Sequence, residues 1–177
     1  MLEESLQIYK LMTTEDTPIF KGEYYQIDGA INQPKPIQKP YPPLWVCGGG
    51  EKVTLKLLAK YGDYGNWDVD VDGFKHKSQI LKKHCEEQNR DYDEIGRTLH
   101  TNVVIGDNKK DLRSKISKLA KYTNIPEDYY YGRPLIGTKD EVFDTLKSYE
   151  TEGCSYLIAY VPDIVWGDTL DILSELN

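Results

Sequence analysis

From Leu44 to the end of the chain, strand-type and helix-type stretches alternate, and this order constrains the fold more than any other feature. Strands separated by helices cannot pair as hairpins. They lie parallel, joined by right-handed crossovers, with helices covering the sheet. The strand-type stretches are 44–47, 64–67, 97–105 and 156–161. Helices are expected over 51–61, with Val53, Leu57, Leu58 and Tyr61 on one face, and from Phe74 to about Gln88. Others are expected around Leu112, Ile116, Leu119 and Ala120, from Thr138 to about Glu152, and over 170–176. Thr138-Lys139-Asp140-Glu141 reads as a capping box, and Gly153 closes the helix that it opens.

Upstream, Leu2, Leu6, Tyr9 and Met12 recur at helical spacing and predict a leading helix within 1–17. In 18–43, Ile19-Phe20 and Tyr24 to Ile27 flank Lys21-Gly22-Glu23 as a β-hairpin, and QPKPIQKPYPP then keeps the backbone extended. Because that run leads into the Leu44 strand, it reads as a rigid connector rather than a ligand for a proline-binding module. The expectation is one partial α/β domain over 1–177, with four β-α units in 44–177. A (β/α)8 TIM barrel takes roughly 250 residues, so 177 residues and four units make half a barrel.

Net charge and composition narrow the function. Lys and Arg total 22 against 29 Asp and Glu, a balance of −7 that repels a phosphodiester backbone, so no nucleic-acid partner is expected. No apolar run reaches the roughly 18–20 residues of a membrane helix, and the N-terminus does not read as an export leader. Cys47, Cys85 and Cys154 are odd in number and widely spaced, which fits a reducing, cytoplasmic setting and no metal site. The 14 tyrosines read as half-buried positions whose hydroxyls reach water.

The most informative segment is Trp45-Val46-Cys47-Gly48-Gly49-Gly50-Glu51-Lys52-Val53-Thr54. A strand runs through three glycines into a helix, leaving unpaired N–H groups in the first turn, where an anion is favoured. Glycines let a phosphate approach the backbone, Lys52 could add charge, and Thr54 a hydroxyl. Neither a dinucleotide fingerprint, which needs glycine where Val53 stands, nor a P-loop is present. A tight turn with no ligand remains equally open on the glycines alone.

Three segments carry a family resemblance: FKGEYYQIDGA, then NQPKPIQKPYPPLWVCGGGEKVTLKLLAKYGDYGNW, then GTKDEVFDTLKSYETEGCSYLIAYVP. Together they resemble the C-terminal part of the luciferase-like monooxygenase superfamily, most closely its coenzyme F420-dependent oxidoreductases, with FMN used by relatives. The resemblance implies barrel strands five to eight and a cofactor-phosphate turn at Gly48, Gly49, Gly50, Glu51, Lys52 and Thr54. It departs from the family at Asn66-Trp67, where relatives more often read Trp-Asn, and at Gly62, where alanine is usual.

It also implies a hydride-transfer site on a small-molecule substrate whose catalytic residues lie outside this chain, so none is assigned. A homo-oligomer, or pairing with a missing N-terminal half, is expected. Two other readings stay open: a non-catalytic half-barrel that binds a phosphorylated small molecule or pairs with a barrel partner, and an unrelated α/β enzyme that holds a substrate phosphate. Cys47 reads as a buried inert thiol and His100, early in its strand, as a core or bottom-face residue. His76 and His84 sit in a polar-faced helix without metal-ligand spacing, and Asp68, Asp70 and Asp72 as a solvated loop, since Gln79 stands where a calcium loop needs Glu.

Overall fold

The computed structural model describes residues 1–175. The leading helix α1 (Leu2–Thr14) lies against α2 (Thr54–Tyr61), where Glu3 accepts hydrogen bonds from Lys60 Nζ at 2.7 Å and Tyr61 Oη at 2.9 Å. The hairpin follows as β1 (Ile19–Lys21) and β2 (Gln26–Asp28). Its strands are shorter than expected: Tyr24 and Tyr25 belong to the turn, because their amides donate to the Glu4 carboxylate at 3.0 and 2.9 Å.

The main sheet is parallel. It contains β3 (Trp45–Cys47), β4 (Tyr64–Trp67), β5 (Gly96–Gly106) and β7 (Tyr156–Tyr160), side by side in that order. Sequential neighbours, all parallel and each followed by helix, are the arrangement of half a (β/α)8 barrel. To the four expected units the structure adds β6 (Leu135–Thr138), which pairs with Val103 to Gly106 of β5. The eleven-residue β5 therefore forks, with its first half between β4 and β7 and its second half joined to β6.

The crossovers are α2, α3 (Val71–Glu87), α4 (Lys109–Thr123) with the short α5 (Glu127–Tyr131), and α6 (Lys139–Thr151). A final α7 covers Thr169–Ser174; the expected end of that helix at Leu176 lies outside the described residues. Helices bury one sheet face: Val46, Trp67, Leu99 and Val103 pack with Leu55, Leu58, Phe74, Leu81 and Tyr149. No described helix is long and apolar enough to cross a membrane.

The capping box forms as the sequence predicts, with Glu141 accepting from the Thr138 amide at 2.9 Å and also ion-paired to Lys109. The Lys109 hydrogen bond, followed by the Thr138 amide, lowers the Glu141 carboxyl to about 2. A depressed carboxylate contributes stability that is complete above its unfolded value, declines as pH falls, and is gone below the folded value. The melting-temperature difference between wild type and Glu141→Gln is therefore expected to be constant above about pH 5 and to vanish near pH 2; a difference that persists unchanged at pH 2 would contradict this assignment.

Candidate phosphate site at the glycine turn

Strand β3 delivers the chain to the C-terminal edge of the sheet, and Gly48 to Gly50 turn it outward. Gly48 has φ +109°, a conformation that favours glycine, and its amide extends the ladder to Asn66 O at 3.3 Å. A Cβ on Gly50 would stand 2.8 Å from Thr54 Oγ1, and one on Gly49 3.2 Å from Lys77 Cε. A side chain at Gly50 would therefore require Thr54 to shift, whereas one at Gly49 requires only a small movement of the flexible Lys77 side chain.

The first turn of α2 is displaced from expectation. Leu55 N bonds to Gly50 O at 3.0 Å, a wide loop that pushes Glu51, Lys52 and Val53 out of the helix. Val53 is consequently 62% exposed instead of buried with Leu57 and Leu58. Among the described residues, the amides of Gly49, Gly50, Glu51, Lys52 and Val53 have no protein acceptor.

The structure divides the six candidate residues. Gly48, Gly50 and Thr54 form one contact, with the threonine side chain folded against the turn. Gly49 and Glu51 face α3: Lys77 Nζ donates to Gly49 O and to Glu51 Oε1, both at 2.8 Å. His76 Nε2 lies 3.1 Å from the same carboxylate oxygen, and His84 Nε2 lies 2.8 Å from the Glu51 carbonyl oxygen. The Lys77 hydrogen bond, with its charge and that of His76, holds the Glu51 carboxyl below the usual range. Lys52 lies apart, in a groove with Met1, Glu3, Lys56 and Gln88.

Lys77, His76 and His84 are the participants that sequence reasoning missed. Their signal was weak: Lys77 and His84 stand seven residues apart, on one side of a helix, but nothing in the sequence ties that side to a loop some 26 residues upstream. Among the described residues no group of three or more His, Cys, Asp or Glu is arranged to hold a metal ion.

The sheet face turned away from the helices is open. By register, Cys47, Asn66, Thr98 and Tyr156 form one row across it, with His100 beside Ile158 and Asn102 beside Tyr160 further along. Two expectations are corrected here. Cys47 is exposed, not a buried thiol, and His100 is exposed, not a core residue, because both point to the face that no helix covers. The Asn66-Trp67 order acquires a meaning: Asn66 lies on the open face, its Oδ1 2.9 Å from Thr98 Oγ1, while Trp67 packs edge-on against Phe74 in the core.

A parallel sheet whose strands are each followed by a helix, with a glycine turn and unpaired amides at the carboxyl end of its first strand, has the architecture of part of a TIM barrel. The family profile described as luciferase-like monooxygenase matches residues 1–153, and the chain belongs to that family. Among solved structures it is similar to an F420-dependent secondary alcohol dehydrogenase in complex with an F420-acetone adduct (18% identity, TM-score 0.78, covering 100% of this chain and 60% of that one). It is also similar to the coenzyme F420-dependent tetrahydromethanopterin reductase from Methanopyrus kandleri (16%, TM-score 0.72, covering 99% and 60%). A third is the long-chain alkane monooxygenase LadA (16%, TM-score 0.69, covering 98% and 53%). The chain spans 60% or less of the length of these structures, and at such identities the likeness shows the fold. No curated protein sequence matches it.

Proposed function

We propose that this chain supplies the cofactor-phosphate end of a luciferase-like oxidoreductase or monooxygenase that uses coenzyme F420, with FMN as the alternative. The observation that carries this reading is the Gly48 to Gly50 turn at the carboxyl end of β3, with side chains absent on one side and amides unpaired on the other. F420 or FMN, when bound, supplies the hydride or electron chemistry. The residues of this chain bind: the backbone of Gly49 to Lys52 offers donors to the cofactor's phosphate group, and Thr54 Oγ1 stands against the same turn. Glu51 takes no direct part, since its carboxylate is committed to Lys77. A reducing, cytoplasmic setting belongs with this reading.

Orthophosphate titrated into the 15N-labelled chain is expected to move the Gly49 to Lys52 amide resonances saturably. Gly49→Val is expected to weaken that binding about tenfold or more by bringing branched carbons against the donor groups and Lys77, at little cost in melting temperature for an exposed turn. Absence of a saturable shift in the wild-type chain would overturn the reading; parallel loss of binding and folding in the variant would make the turn structural only.

A further inference from the structure

Beyond the backbone bonds of Gly48 N to Asn66 O and Leu55 N to Gly50 O, the glycine turn is held by side chains of one helix. Lys77 and His84 lie two turns apart on α3, and each reaches a backbone carbonyl of the turn, Gly49 O and Glu51 O, at 2.8 Å. Both side chains are largely covered, at 16% exposure each. Their helix is fixed independently of the turn, because Phe74, Ser78, Leu81 and Cys85 are buried along its adjacent face.

In a planar trans peptide the carbonyl of one residue and the N–H of the next point in opposite directions. The Gly49–Gly50 and Glu51–Lys52 peptides are both trans. With Gly49 O and Glu51 O drawn toward α3, the N–H groups of Gly50 and Lys52 are directed away from it, and neither has a protein acceptor among the described residues. Three consecutive glycines place the least restraint of any residues on their own backbone, so this orientation has to be imposed from outside the turn.

We infer that Lys77 and His84 are positioning residues that hold the Gly50 and Lys52 amides outward as a preformed pair of anion donors. The inference rests on the phosphate-binding reading above and assigns neither side chain to the phosphate itself. It requires the two clamps to act on different amides: Lys77 on Gly50, and His84 on Lys52. It also separates orientation from charge, since Lys77 neutralises Glu51 as well as holding Gly49.

The test is the orthophosphate titration of the full 15N-labelled chain, read residue by residue. In the wild type, the Gly50 and Lys52 resonances should show the largest shifts, with one common Kd. Lys77→Met should raise that Kd about tenfold and reduce the Gly50 shift, and Lys77→Arg should restore it to within about threefold. His84→Ala, a separate variant on the same helix, should diminish the Lys52 shift while leaving that of Gly50.

Adding Glu51→Gln to Lys77→Met separates the two roles of the lysine. A loss that persists in the double variant supports orientation, and full recovery would show that charge neutralisation alone was at work and overturn the inference. If wild type binds phosphate and Lys77→Met binds it equally well, the inference fails while the phosphate site stands. If wild type shows no saturable shift, the phosphate reading fails and the inference falls with it.

Discussion

Phe74→Ala is expected to cost roughly 3–5 kcal/mol of folding stability, the range for removing a fully buried aromatic ring. Phe74 is entirely buried where α3 meets the sheet and α6, its ring edge-on to Trp67 at 5.1 Å and to Tyr149 at 5.6 Å. Tyr149 in turn donates its hydroxyl to Val69 O at 2.6 Å, in the segment that leads into α3. Deleting the ring opens a cavity where α3, β4 and α6 meet, lined by the rigid rings of Trp67 and Tyr149. Phe74→Leu keeps most of the volume and should cost less than about 2 kcal/mol, allowing for its change of shape. Urea unfolding at one fixed chain concentration measures both. A loss under 1 kcal/mol for the alanine variant would show that this aromatic cluster is not where the fold is held. Because the same helix carries Lys77 and His84, the core and the glycine turn are joined through α3, and phosphate affinity should fall in the alanine variant even where it remains folded.

What the sequence revealed, and what it hid, divides along the range of the forces involved. β4 and β5 were legible to within a residue because a run of strand-type side chains between glycine or polar breaks is a local signal. The α6 start was legible because a capping box is complete within four residues. β6 was not, since Leu135-Ile136-Gly137-Thr138 is too short to show a period and exists only because the far half of β5 offers it a partner. The start of α2 was misjudged for the same kind of reason. Glu51 is a sound first-turn residue locally, but Lys77 and His84 pull it out of the helix from another element.

The candidate site shows this division most clearly. Gly48, Gly49 and Gly50 could be read directly, because their meaning lies in the backbone that they permit. Lys52 reads as a cation for the site and is exposed beside the groove that Met1 and Gln88 line. A second cation bonded to the turn, Lys77, is identified only by the tertiary fold. His100 failed for a different reason. Its early place in the strand points to a core or bottom-face residue, whereas strand parity decides burial: Leu99, Thr101 and Val103 face helices, and His100 faces the open side.

That open side leads to the second large effect: the 177-residue chain in isolation is expected to associate with a second copy of itself. Its exposed sheet face carries Tyr156 at 57%, Tyr160 at 60%, and Trp45 and Ile158 at 37% exposure. Trp45 is stacked on Tyr64 at 4.5 Å and meets Tyr156 edge-on at 6.0 Å, so one end of the face already has an ordered aromatic floor. Among the described residues β3 pairs only with β4 and β7 only with β5, which leaves two strand edges of the kind that template association. A two-fold axis along the barrel axis would set β7 of each copy beside β3 of the other with all strands parallel. Four strands and four then make the eight of a closed barrel, and both edges are satisfied by one operation. A second copy needs to bury about 1,200–2,000 Å² in total to be stable, which two sheet faces with their edges are of a size to provide. Sedimentation at micromolar concentration should therefore give a dimer. Ile158→Lys, which puts a charge in the middle of the joined face, should shift it toward monomer by well over tenfold in dissociation constant, since an unpaired buried ammonium costs several kcal/mol. Such a dimer lacks the first half of the barrel, so F420 and FMN are expected to bind no more tightly than orthophosphate does, through the turn alone. A cooperatively folded monomer that takes up either cofactor at micromolar affinity would show instead that this face is a finished surface, and that the eight-strand closure is not needed for the chain to work.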